Sequence, residues 1–374
     1  MRSVRKLPKV YNKNLNYTTI KGSAKFNRAH KFLLASVCCC SIFLLHAQPW
    51  SQKIKKDFTS LLQRPAIAAN ASFTWFTTDS VLIEKGFFYS EVTEKVPTLI
   101  YKPVRTTFKK LPVIICLHGT GGSKDEAGIK SLLYEFTKLG FMAVAIDARY
   151  HGERVIKTNG RNFYTDAIIK AWQNKDAAHQ SHPFFFDTVY DLWKLVDYLD
   201  TRPDVDSSRI GMMGISMGGI ETWMAASVDT RIKVAVPVIS TQSFKWSLDN
   251  GRWQGRAKTI WNAHVQAAKD LGDTGVNTKN VKALWDKVLP GILNEFDCPS
   301  MIPLFAPRPL LLLSTEKDQN CPLGGAQIAF AAATNAYQSI NASNKLKIDV
   351  EPNEPHRFTA KHFAMAIAWF KQWL

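Results

Sequence analysis

Short, unbroken apolar runs recur along the chain with room for a helix between most neighbours. Val113-Ile114-Ile115-Cys116-Leu117, Met142-Ala143-Val144-Ala145-Ile146, the stretch 209–215, 233–238 and Pro309-Leu310-Leu311-Leu312-Leu313-Ser314 are too short for buried helices. Runs of this kind mark parallel strands covered on both faces. Between them, segments 125–139, 186–200, 217–228, 324–337 and 359–374 carry a helical period, with Val189, Leu192, Trp193, Val196 and Leu199 on one stripe. Together with runs at 81–91, 97–103 and 346–350, the pattern predicts an α/β chain with an open, doubly wound, mostly parallel sheet of eight strands.

One connection is too long for that scheme: about sixty residues, 241–300, separate two strands and include Trp246, Trp253, Trp261 and Trp285. A connection of this length inside a domain is usually a functional insertion. It reads as a helical cap, with Trp246 and Trp253 as candidate substrate-binding walls, or else with its tryptophans filling a small core of its own.

The net charge of +17 invites a nucleic-acid reading until it is located. Residues 1–56 hold 12 Lys/Arg and no acid, so the remainder has 36 basic against 31 acidic residues. The body is therefore close to neutral, and no nucleic-acid partner is expected. The basic leader runs into an apolar stretch, 32–45, and a small-residue exit at Ala47-Gln48. That is the layout of a secretory signal over residues 1–47. An uncleaved membrane anchor and an organelle transit peptide are the other readings. Residues 48–79 are then an N-terminal extension, and 80–374 the main domain.

The chemistry centres on Gly214-Ile215-Ser216-Met217-Gly218, which joins an apolar strand to a helical pattern. Such a turn holds a serine at the sheet's carboxyl edge, with glycines where side chains would collide. Serine becomes nucleophilic only when a histidine takes its proton and an acid orients that histidine. On such a scaffold the acid and the histidine should follow in that order, each after a strand. Asp318 follows the strand at 309–314, and His356 follows the strand at 346–350. Glu316 and Asp349 are rivals for the acid, and His362 for the base. The oxyanion donors are expected to be the main-chain N–H groups of Met217 and of Thr120, in His118-Gly119-Thr120-Gly121-Gly122.

These four features in this order resemble the α/β-hydrolase family. Asp147-Ala148-Arg149-Tyr150-His151-Gly152-Glu153-Arg154 and Arg202-Pro203-Asp204 are similar to its dienelactone-hydrolase and prolyl-oligopeptidase-like branch with the related esterases. The resemblance implies hydrolysis through an acyl-serine. Dienelactone hydrolases use a cysteine, and prolyl oligopeptidases carry a large propeller that the stretch after Gln48 cannot hold. A serine esterase acting on a small-molecule ester is the favoured function; a serine peptidase or a non-catalytic binding member of the same fold are the alternatives. Arg149 and His151 either line the pocket or tie their loop to itself. No cofactor is expected, and no metal, since His179, His182 and Asp187 lack a completing ligand. Cys116 reads as a buried strand residue, whereas Cys298 and Cys321 could pair in an oxidising compartment.

If the leader is a signal, protein recovered from its native host outside the cytosol begins at or near Gln48. N-terminal sequencing checks this, and full-length chain in the cytosol contradicts it.

Overall fold

The computed structural model describes residues 50–374 apart from Asp79 and residues 156–162, so the leader and its cleavage site lie outside the described residues. The strands are β1 (Ser72–Thr77), β2 (Val81–Glu91), β3 (Glu94–Pro103), β4 (Leu111–Leu117), β5 (Met142–Ile146), β6 (Val205–Ile215), β7 (Ile232–Val238), β8 (Leu310–Thr315) and β9 (Leu346–Glu351). They form one sheet in the order β1-β2-β3-β5-β4-β6-β7-β8-β9. The first three are antiparallel to one another and β3 is antiparallel to β5, while β5, β4, β6, β7, β8 and β9 run parallel. The winding direction reverses at β4, and a crevice for ligands forms beyond the carboxyl ends of the strands at such a reversal.

Alternation along β4 shows why the central strands read as unbroken apolar runs. Val113, Ile115 and Leu117 face one core, and Ile114 and Cys116 face the other. The first core is covered by helices Phe163–Gln173, Phe186–Thr201, Met217–Val228 and Leu323–Ser339. The second is covered by Ala127–Lys138 and Ala360–Trp373, where Phe136 and Phe370 meet edge to face at 5.3 Å.

Two expectations need correction. The sheet has nine strands among the described residues, because β1 lies in the stretch read as an extension. It pairs with β2, and although Phe73 and Trp75 alternate with Thr74, all its residues except Phe73 are exposed. Cys298 and Cys321 are free, as is Cys116, and all three are buried. The Cys321 thiol instead donates to Ile239 O and lies 3.0 Å from Arg256 Nη2.

The motif 147–154 after β5 is anchored by buried charge. Asp191, on the helix Phe186–Thr201, accepts from Arg149 Nε at 2.8 Å and from Arg154 Nη1 at 2.6 Å. Lys124 is fully buried and reaches Asp147 at 3.0 Å and Glu153 at 2.8 Å. Arg149 thus ties its loop to the scaffold. Burial alone would raise the Asp191 carboxyl, but the two guanidiniums outweigh it and hold it down to about 2. A carboxyl held below its unfolded value, near 3.9, stabilises the fold fully above that pH and loses this contribution as pH falls toward 2. Removing one member of such a pair leaves uncompensated buried charge. Asp191→Ala should therefore cost about 3–5 kcal/mol at neutral pH, with a smaller deficit relative to the parent near pH 2, both measurable by denaturant titration.

Candidate active site

At the end of β6 the chain turns directly into helix Met217–Val228. Ser216, at the turn, has φ 54° and ψ −109°, a conformation that residues with a Cβ rarely adopt. Its neighbours must be glycine for steric reasons. A Cβ on Gly214 would stand 2.2 Å from Gly218 O, and one on Gly218 would stand 2.6 Å from Leu117 Cβ. The Ser216 N–H donates to Val238 O at 2.9 Å, and the Gly218 N–H to His118 O at 3.1 Å, so both neighbouring parallel strands grip the turn.

The loops after β8 and β9 bring two more side chains to this point. His356 Nε2 lies 2.8 Å from Ser216 Oγ, and its Nδ1 lies 2.7 Å from Asp318 Oδ2. The other oxygen of Asp318 accepts the N–H groups of Asn320 at 2.7 Å and Cys321 at 2.8 Å. A carboxylate acceptor at Nδ1 favours the tautomer protonated there, which leaves Nε2 free to take a proton from the hydroxyl. Two main-chain bonds join the loops: Glu316 N–H to Glu351 O at 3.0 Å and Lys317 N–H to Glu354 O at 2.8 Å. Parallel neighbours β8 and β9 thus deliver acid and histidine in fixed register.

The rival residues are engaged elsewhere. His362 is buried in the last helix with Nε2 3.0 Å from Asp349 Oδ2, and Glu316 accepts the Asn353 N–H at 2.7 Å. His118 Nδ1 bonds Gly119 O at 2.8 Å while Nε2 accepts from the Ala148 N–H at 3.1 Å, so this ring shapes the loop. Burial lowers its pKa, and burial followed by His118 itself lowers His151 to about 4. Both rings are uncharged at neutral pH. Among the described residues, Asp318, Cys321 and His356 have ligand atoms within 4.8 Å of one another, the spacing of a metal site. The hydrogen bonds just described already account for that spacing, and burial pushes the Cys321 thiol up to about 12.

A cavity of about 430 Å³ opens over Ser216, lined among others by Thr120, Ile239, Thr259, Asn320 and Phe358. Thr120 is on its wall, and Met217 is buried at the first position of the helix. Among the described residues neither main-chain N–H is taken by a protein acceptor. The insertion reaches this cavity through Thr259. Neither Trp246 nor Trp253 lines it, which corrects the expectation that both wall the Ser216 pocket. Trp253 is buried in the first core, with its indole N–H 3.2 Å from Thr278 Oγ1. Trp246 is half-buried in a second cavity next to the Asp318 loop. No sequence signal identified Thr259. Asn320 was readable as the residue two after an aspartate, where a turn bonding main chain to carboxylate forms.

The segment 74–251 matches the family model described as acetyl xylan esterase (AXE1), a span that includes the turn at Ser216 but not Asp318 or His356. YtaP of Bacillus subtilis (strain 168), a hydrolase by name, is 26% identical over 293 residues, covering 75% of this chain and 84% of its own. The acetyl xylan esterase from Paenibacillus sp. R4 superposes with a TM-score of 0.63 at 19% identity, covering 86% of this chain and 93% of its own. Acetyl xylan esterase 1 from Thermoanaerobacterium sp. JW/SL YS485 gives 0.59 at 18% identity, covering 87% and 92%. The chain has the α/β-hydrolase fold. The enzyme class these matches support is that of the carboxylic ester hydrolases.

Because Trp253 packs inside the protein, Trp253→Ala should cost about 3–5 kcal/mol in stability yet keep the parent's ranking of acetyl, butyryl and longer esters. Thermal unfolding and an acyl-chain series on the same preparation check both halves.

Proposed function

We propose that the protein cleaves carboxylic esters through an acyl-serine on Ser216, with His356 as base and then acid, and Asp318 orienting it. The observation that carries this reading is the unbroken line from Asp318 Oδ2 through both His356 nitrogens to Ser216 Oγ, with bonds of 2.7 and 2.8 Å. Ser216 Oγ attacks the ester carbonyl carbon as its proton passes to Nε2. The Thr120 and Met217 N–H groups receive the developing oxyanion, where a pair of fixed donors acts most strongly on charge that forms only in the transition state. His356 then returns the proton to the departing alcohol. Water, deprotonated by the same nitrogen, releases the acid and restores the serine.

Short acyl groups on carbohydrate are the substrate class we favour. The support is the likeness of 74–251 to acetyl xylan esterases, and the cavity of about 430 Å³ over Ser216 has room for a sugar carrying its acyl group. Residues 1–47 are proposed as an export signal on the strength of their basic and apolar layout. We place residues 80–374 as the hydrolase domain and 241–300 as an insertion covering part of the crevice.

Ser216→Ala should lower kcat on an activated aryl ester by about 10⁶-fold if the three residues act as a unit, with unchanged thermal unfolding. A fluorophosphonate should label Ser216 alone; His356→Ala should abolish labelling, and His362→Ala should not. Turnover near that of the parent in Ser216→Ala overturns the reading.

A further inference from the structure

The cavity beside the Ser216 pocket differs from it in character. It encloses about 510 Å³ between the short helix Gln254–Lys258, the Asp318 loop and the start of helix Leu323–Ser339. One wall is the indole of Trp246. A Cβ on Gly324 would stand 2.4 Å from Trp246 Cζ2, and one on Gly325 would stand 3.2 Å from Cε3. The ring therefore rests against bare backbone and has little freedom to turn. Among the described residues its N–H has no hydrogen-bond partner, and it remains open to a ligand.

Three cations line the same space: Arg252, Lys258 and Lys317. Among the described residues none of the three has a carboxylate partner or a side-chain hydrogen bond. Elsewhere the protein pairs its charges densely, as at Lys124, Arg149, Arg154, Arg202 and Arg231. The carboxylates at this rim are already engaged, Asp318 with His356 and Glu316 with the Asn353 N–H. The cavity thus combines a fixed aromatic surface, the amide side chains of Gln254 and Gln319, and three cations against the two carboxylates Glu316 and Asp318, an excess of positive charge. A flat amphipathic ring suits the C–H face of a sugar, amides suit its hydroxyls, and clustered cations raise the local concentration of an anion.

The two cavities are built by the same two segments. Lys258 lines one and Thr259 the other; Gln319 lines one and Asn320 the other. Gly255 is in direct contact with this ridge, because a Cβ there would stand 1.9 Å from Gln319 O. A chain of sugars crossing the ridge would put an ester over Ser216 and a neighbouring ring against Trp246.

We propose that this second cavity is a subsite for an acidic sugar, a ring bearing a free carboxylate next to the esterified one. The inference rests on the esterase reading and narrows its substrate to acidic oligosaccharide esters. The carboxylate lies among Arg252, Lys258 and Lys317, and the ring lies on Trp246. No bond is made or broken there, so the subsite acts through binding and shows itself in KM.

The test compares an acetylated oligosaccharide carrying one uronic acid residue with the same compound after its carboxyl is reduced to the alcohol. The acidic compound should have a kcat/KM about tenfold higher, mostly through KM, and the ratio should fall toward one with added salt as exposed charges are screened. In the triple variant Arg252→Ala, Lys258→Ala, Lys317→Ala the ratio should approach one, whereas Trp246→Ala should weaken both compounds. Because the ratio is taken within each preparation, a general loss of activity cancels. Equal kcat/KM for the two compounds in the parent enzyme, or a preference that survives in the triple variant, overturns the subsite. A sulfated sugar bound as well as the uronate by calorimetry would reassign the site to anionic sugars at large and overturn its restriction to carboxylates. Calorimetry with the deacetylated acidic and carboxyl-reduced oligosaccharides reads the subsite without turnover. Failure of the parent to hydrolyse an activated aryl ester would instead count against the esterase reading itself.

Discussion

The backbone at Ser216 is the constraint around which the rest is arranged. A residue with a Cβ at φ 54° costs on the order of 1–3 kcal/mol, so the surroundings must over-determine it. They do so from three sides. The Met217–Val228 helix is buried from Met217 through Ser227, His118 just after β4 supplies its carbonyl to Gly218, and β7 supplies the Val238 carbonyl to Ser216. Releasing the turn would pull a fully buried helix off the sheet. The side chain is therefore presented at the carboxyl edge by packing spread over the middle of the domain.

The partners of that serine depend on a second device, the stitching of two adjacent loops. His356 is only part-buried and sits at the end of a loop, a poor basis for a fixed distance. Its position is set by the parallel register of β8 and β9 and then by two main-chain bonds between the loops that continue them. Asp318 is in turn held by two N–H donors of its own loop. A carboxylate already anchored this way restrains the imidazole at little further loss of entropy, which is why the chain can place a part-buried loop histidine accurately.

How much of this was legible follows the physics that each feature obeys. The parallel strands, the turn at Ser216 and the order Ser216, Asp318, His356 were readable because burial and sterics write directly into residue type. Strand β1 was not: its Ser-Phe-Thr-Trp-Phe-Thr sequence favours a strand, but it is short and exposed on nearly every residue, and main-chain pairing to β2 holds it in place of burial. Trp246 and Trp253 show the same limit from the other direction. Both are large aromatics in one insertion, and sequence does not distinguish a ring that fills a core from a ring that faces a cavity. Thr259 carries no mark at all, since its place beside Ser216 comes from where the helix Gln254–Lys258 ends. The free state of Cys298 and Cys321 was equally hidden, because pairing depends on side-chain direction as much as on proximity.

Charge is used in two opposite ways on the two sides of the site. Behind it, Lys124, Arg149, Arg154 and Asp191 are buried and mutually satisfied, and His118 and His151 are kept uncharged by burial. Ions paired this closely are held in one geometry, so this side contributes rigidity to the loop behind the site. In front, Arg252, Lys258 and Lys317 stand open at the cavity next to the Asp318 loop. Their field reaches solvent, and over about one Debye length, roughly 8 Å at physiological salt, it acts on whatever approaches. The charge open to an approaching ligand at this cavity is thus that of three cations and the exposed Glu316 carboxylate beside them, although far more charge is buried in the scaffold behind.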